Sequence, residues 1–155
     1  MTDGIHHRYS DLLETHVQVG IASGRVVDLT FTDDPEGDAA EEGDVPVLDD
    51  VFAYLAGDRV DLHRHESALT VGGLERDALE RVDDLAYGHT ATYDEVARSV
   101  GADEEEYADV RAAIDGNPVP ILIPSHRVVD DDRLGGFAGP RRIKRLLLEI
   151  EGVER

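Results

Sequence analysis

Along residues 17–32, VQVGIASGRVVDLTFT, apolar and polar positions alternate on either side of Ser23-Gly24. That period of two predicts a β-hairpin with a tight turn. The next stretch, DDPEGDAAEEGD (33–44), holds seven acids, a proline and two glycines, and predicts a mobile loop or linker. Pro46 then opens a short helix with an apolar face of Val47, Val51, Tyr54 and Leu55, and RVDLHRH (59–65) predicts a returning strand. From Thr70, read as an N-cap, Val71, Leu74, Ala78, Val82 and Leu85 recur at helical spacing until YGHT (87–90) breaks the chain. Thr92 and Glu95 form a capping box for a short helix bearing Val96 and Val100, stopped by Gly101. A second short helix places Tyr107, Val110 and Ile114 on one face and ends at Gly116. Two short helices about a tight glycine turn have helix-turn-helix character, although helical hairpins that never meet DNA share it.

The segment NPVPILIP (117–124) is not helical, because Pro118, Pro120 and Pro124 favour an extended chain. HRVV (126–129) predicts a short strand and DDDRLGGFAGP (130–140) a loop. Pro140 is read as the first residue of a final helix that turns Ile143, Leu146, Leu147 and Ile150 inward. The pattern predicts an α+β chain: a small α/β lobe over residues 1–66, carrying the acidic loop 33–44, and a mainly helical domain over residues 67–155.

Charge changes this picture more than hydrophobicity does. Thirty-five acids face fifteen bases, a net −20, and the only lysine is Lys144. A lysine-poor acidic surface suits a halophilic cytoplasm, where molar salt shortens screening to about 3 Å. It also argues against nucleic acid, which normally meets a basic footprint. The imbalance is uneven: 21 acids and 6 bases lie in residues 1–85, against 14 and 9 in residues 86–155. Arg127, Arg133, Arg141, Arg142, Lys144 and Arg145 cluster near the end, where any phosphate contact is expected. With no cysteine, disulfides, thiolate metal sites and thiol catalysis are excluded. No apolar run reaches membrane-spanning length, and MTDGIHHRYSDLLE lacks the regions of a signal peptide, so a cytoplasmic protein without membrane contact is expected. His6-His7 and His63-x-His65 come without cysteines or a nearby acid pattern of known ligand spacing, and neither a metal nor another cofactor is expected.

The segment NPVPILIPSHRVV (117–129), with YGHTATYDEVA upstream and GGFAGPRRIKRLLLEIEG downstream, resembles the alkylguanine–DNA alkyltransferase family, strongly over residues 70–152 and weakly over 1–66. That family repairs guanines alkylated on the six-position oxygen, and its hallmark differs from this segment by one letter, a cysteine where Ser125 stands. The resemblance implies that His126 activates residue 125 through a water, that Glu151 orients His126, and that Asn117 holds the turn. It further implies that Tyr93 crowds the target phosphate, and that Val128, Phe137, Ala138 and Gly139 line the base pocket. The helix from about Asp103 to Asp115 would enter the minor groove, and Ala108, Arg111 and Arg127 are the positions expected toward DNA. The implied partner is double-stranded DNA with alkylated guanine, bound weakly by a monomer that flags damage for other repair-pathway proteins.

Two positions depart from the family pattern. Serine is far less acidic than cysteine and a poorer nucleophile toward alkyl carbon, so Ser125 is not expected to accept an alkyl group. Such a chain resembles alkyltransferase-like proteins, which bind alkylated DNA without repairing it; a cysteine-to-serine change made to trap an active protein would read the same. Ala108 occupies the place of the arginine that fills the gap left by an extruded base. Arg111, one turn on, either reaches the same groove or pairs at the surface with Glu104 or Asp115. Two other classes stay open: a Ser125-His126-Glu151 hydrolase relay, which lacks the Gly-x-Ser-x-Gly elbow, and an interaction module that has kept the fold.

Overall fold

The structure, a computed structural model, describes residues 3–153. Residues 1–2 and 154–155, the outer ends of both predicted domains, lie outside the described residues. The chain divides into two compact units, residues 1–68 and 69–155.

The first unit is built on a four-stranded sheet. Strands β1 (Gly4–Ser10), β2 (Thr15–Ala22), β3 (Arg25–Thr32) and β4 (Asp38–Ala39) lie in the order β3-β2-β1-β4. The predicted hairpin is β2–β3, antiparallel with Ala22 opposite Arg25. Its turn places Ser23 at φ 54° and Gly24 at φ 75°, as a two-residue turn of this hand requires. The Asp3 carboxylate accepts both turn amides, each at 3.0 Å. Alternation buries Val17, Val19 and Ile21 on one face of β2. A bulge opposite Gly20 and Ile21 shifts β3 by one residue, so that Val26 and Leu29, three apart, both reach the core. Helix α1 (Pro46–Leu55) adds Val47, Leu48, Val51, Tyr54 and Leu55.

Two expectations for this unit are corrected. Residues 33–44 are not a free linker. Asp38 and Ala39 pair in parallel with His6 and His7, and Arg8 donates to Ala40 O (3.0 Å), Glu41 O (2.8 Å) and Asp49 Oδ1 (2.9 Å). Residues 59–65 form no strand. Asp61 accepts the His63 amide at the start of a 3-10 turn (Leu62–Arg64), and Asp50 holds Arg64 (2.7 Å) and His65 (2.5 Å).

In the second unit, helices α2 (Gly73–Asp83), α3 (Tyr93–Ser99), α4 (Tyr107–Asp115) and α5 (Arg141–Ile150) surround a short parallel pair, β5 (Ala91–Thr92) with β6 (Val128–Val129). Thr70 is not a cap: α2 begins three residues later, at Gly73, with Gly72 as its N-cap. The predicted capping box is present at Thr92 and Glu95. Between α3 and α4 the chain turns through Gly101 at φ 75°, where Gly101 N donates to Arg98 O and Ala102 N to Ala97 O. Those two bonds satisfy carbonyls at the end of α3 that would otherwise face no donor.

The proline-rich segment is not extended. It doubles back through Ile121, a β-branched residue at φ 75°, and a bridge joins Pro120 to Ile123. Pro140 is the N-cap of α5 rather than its first helical residue, and the buried face of α5 is Ile143, Leu147, Leu148 and Lys144. Leu146 and Ile150 are only half-buried.

Candidate active site

Asn117 organises the turn that presents Ser125. Its Nδ2 donates to Ile123 O (2.7 Å) and to Ser125 Oγ (3.0 Å), while its Oδ1 accepts the Val119 amide (3.0 Å). The Ser125 amide donates to Ile123 O at 2.7 Å. The reversal at Ile121 brings Ile123 O within reach of both groups. Ser125 opens a 3-10 turn (Ser125–Arg127) instead of ending an extended run, and is 2% exposed.

The next residue turns the other way. His126 is fully buried, and its Nε2 lies 2.6 Å from Glu151 Oε2, just past the end of α5. Glu151 also accepts the Gly88 amide (2.8 Å) and Arg127 Nε (2.9 Å) on Oε1, and Arg127 Nη2 (3.1 Å) on Oε2. Burial pushes this carboxyl up, but the bonds from His126 and Arg127 outweigh it and hold the group well below the usual carboxylate range. An ionised carboxylate only accepts, so Nε2 carries the hydrogen and, in the neutral ring, Nδ1 carries the lone pair. Burial is also what lowers the imidazole pKa most, against the pull of Glu151, so the neutral form is favoured.

Around Tyr93 lies a second group that the sequence did not disclose. The Tyr93 hydroxyl donates to Asp115 Oδ1 (2.6 Å) and accepts the Gly136 amide (3.1 Å); burial first, and Asp115 next, raise its pKa far above the ordinary value. A side chain on Gly135 would strike the Tyr93 ring, and one on Gly136 would overlap the Asp115 carboxylate. The glycine pair is what lets the 130–139 loop press onto α3 and α4.

Lys144, counted above among the cations available to phosphate, is wholly buried and donates to Val128 O and Gly136 O, each at 2.7 Å. Burial drives its pKa down to about 8. Between that value and the ordinary one, about 10.4, the folded chain binds fewer protons than the unfolded chain, so stability rises with pH. From about pH 7.5 to 9.5 the parent should gain up to about 2 kcal/mol relative to Lys144→Met, read by urea unfolding. A constant difference would contradict the burial of a charged amine here.

The remaining predicted positions divide. Val128 is buried, Phe137 and Ala138 are half-buried, and Gly139 is exposed. Ala108 is exposed on α4. Arg111 stacks over the Tyr93 ring at 4.2 Å and makes a two-pronged pair with Asp130 (2.8 and 3.0 Å), with Asp115 at 3.8 Å. Its main partner is therefore neither Glu104 nor Asp115. Arg127, expected toward DNA, is 12% exposed and held by Glu151 and by Leu85 O (2.6 Å). Arg133, Arg141 and Arg145, with Arg111, Asp130, Asp131, Asp132, Leu134 and Gly135, line a cleft of about 720 Å³. His65 sits on Asp50 and His63 beside Asp61. Among the described residues no helix is long and apolar enough to cross a membrane.

Comparison with known proteins gives the family. Residues 74–153 match the family described as 6-O-methylguanine DNA methyltransferase, DNA binding domain. A methylated-DNA–protein-cysteine methyltransferase of Methanothermobacter thermautotrophicus is 38% identical over 111 residues, 69% of this chain and 60% of that protein. The same-named protein of Methanopyrus kandleri is 36% identical over 67% of this chain and 77% of its own length. The crystal structure of Mycobacterium tuberculosis OGT in complex with DNA superposes with a TM-score of 0.77, at 26% identity over 94% of this chain and 92% of that one. The structure from Pyrococcus kodakaraensis does so at 0.75, with 25% identity over 96% and 99%. The mixed α+β fold, a small sheet and a helical part, is that of these structures, and the chain belongs to the 6-O-methylguanine DNA methyltransferase family of DNA-binding repair proteins.

Proposed function

We propose that this protein binds duplex DNA carrying alkylated guanine, extrudes the damaged base, and does not take the alkyl group from it. The observation that carries this reading is the position of Ser125. Its Oγ is fixed by Asn117 beside the buried His126–Glu151 pair, where the family resemblance puts a cysteine. A hydroxyl in that place is a weak nucleophile toward alkyl carbon, and a neutral imidazole is too weak a base to change that. The reaction stops at recognition, and the bound lesion is left for other repair proteins of the cytoplasm.

Helices α3 and α4, joined at Gly101, act in this reading as the helix-turn-helix, with α4 against the minor groove. Phosphate is met by Arg133, Arg141 and Arg145, since Lys144 and Arg127 are held inside. Extruding a base costs a few kcal/mol, and Ala108 cannot fill the hole, so binding is weak. Ala108→Arg should recover about 1.4 kcal/mol, a tenfold gain in affinity. The test is binding to duplexes with and without methylated guanine in molar salt. Preference for the lesion, strengthened by Ala108→Arg, is the expected result. No binding to either duplex by parent or variant would overturn it. A second reading, an interaction module that has kept the fold, would then lead; the exposed acids Asp103, Glu104 and Glu105 before α4 and Asp109 on it favour it.

The acidic surface, 35 acids against 15 bases, is read as an adaptation to molar salt. Dilution to about 0.1 M lengthens screening from about 3 to about 10 Å, and repulsion among residues 33–44 and 103–109 then grows. The melting temperature should fall by several degrees on dilution. A flat or rising melting temperature would remove the halophilic interpretation.

A further inference from the structure

Arg127 sits beside the candidate nucleophile, yet it points at neither solvent nor Ser125. Its guanidinium grips both oxygens of Glu151, through Nε at 2.9 Å and Nη2 at 3.1 Å, while Nη1 donates to Leu85 O at 2.6 Å. The Glu151 side chain has no exposed surface, and the same Oε2 faces His126 Nε2 at 2.6 Å. A lone carboxylate this close to a buried imidazole would draw a second proton onto the ring. Imidazolium has no lone pair, and a His126 so charged could not take a proton from residue 125.

We propose that Arg127 is a positioning residue that keeps His126 a neutral base by cancelling the charge of Glu151 through both of its oxygens. This rests on reading His126 as the base of the site. The fork leaves Oε2 able to accept the Nε2 hydrogen, so orientation and charge are set by different partners. Glu151 fixes the ring and its tautomer; Arg127 removes the charge that would protonate it. Lys144, from α5, adds a second positive charge. The Gly88 amide takes up Glu151 Oε1. Helix α2, which packs on the 3-10 turn, buries Ala78, Leu79 and Val82 and carries the half-buried acid Asp83 at its end.

The experiment is an NMR titration of the His126 ring in the full chain. Arg127→Met should raise the proton affinity of His126 about tenfold or more, because Glu151 then stands uncompensated. Arg127→Lys, which keeps the charge, should return most of that change. Arg127→Met combined with Glu151→Gln removes both charges, and His126 should titrate no higher than in the parent. Should Arg127→Met not fold, Arg127→Gln carries the same expectation, since it keeps a donor without the charge. An unmoved midpoint in the single neutral variant would overturn the proposal. So would a double variant as basic as the single one, for then the disturbance rather than the carboxylate charge moves the ring. Methyl transfer in a Ser125→Cys background is read separately. Its absence alongside the expected titrations would sink the acceptor reading while leaving the charge-cancelling role of Arg127 standing.

Discussion

Ser125→Cys is expected to turn a protein that takes up no label from methyl-labelled guanine DNA into one that takes up a single methyl group per chain. One donor that a thiolate would use is in place. Asn117 Nδ2, 3.0 Å from Oγ, is a donor aimed at the residue 125 acceptor atom, and the lone pair on His126 lies one residue away in the same turn. A thiol with an ordinary pKa near 8.5 gives up its proton to a neutral imidazole far more readily than a serine hydroxyl does. Adding His126→Ala to the cysteine variant should slow transfer about 10²- to 10⁴-fold, the usual contribution of a positioned base. Peptide mapping of the labelled protein checks each statement. Label found on Ser125 of the parent would defeat the argument from nucleophile strength. A cysteine variant that binds methylated duplex but stays unlabelled would show that the turn does not present residue 125 to the lesion.

Glu151→Ala should be the most damaging single change in the second unit. It leaves the largely buried Arg127 without its counter-charge, strips His126 of its orienting acceptor, and frees the Gly88 amide. Breaking a buried, hydrogen-bonded ion pair from one side costs about 3–5 kcal/mol. For a chain of this size that lowers the melting temperature by roughly 10 °C. The pH dependence gives the sign. The Glu151 pKa is held well below that of the unfolded chain, so its contribution is complete above the ordinary value of about 4.3 and fades as pH falls toward the folded value. The alanine variant should therefore lose less stability than the parent on acidification below about pH 4, measured by denaturant unfolding. Parallel acid limbs for the two proteins would mean that Glu151 is not the stabilising carboxylate.

What could be read from the residue pattern was what local chemistry fixes. The hairpin about Ser23-Gly24, the Thr92–Glu95 capping box, the stop at Gly101 and the apolar face of α1 depend on neighbours within a few residues. Strand β1 was invisible because GIHHRYS carries polar residues on both faces; His6 and Ser10 are nevertheless buried by strands that arrive later in the chain. Strand β4 needs Arg8, some thirty residues away, to hold it. The candidate site was legible as a set of residues but not as a geometry. That Asn117 and Ser125 touch follows from the left-handed turn at Ile121, which no periodicity announces. Arg127 and Lys144 look like surface cations in sequence. Only the assembled carbonyls of Leu85, Val128 and Gly136, with the Glu151 carboxylate, give their hydrogens somewhere to go inside.

The burial of the only lysine has a consequence for how this protein can be handled and modified. The described surface offers no side-chain ammonium, so acylating reagents, reductive methylation and any enzyme that conjugates to lysine find no target there while the second unit is closed. Reaction at Lys144 requires an opening that frees its ammonium from Val128 O and Gly136 O. Acylation at that one position is thus a built-in clock for local opening, counted one event per molecule.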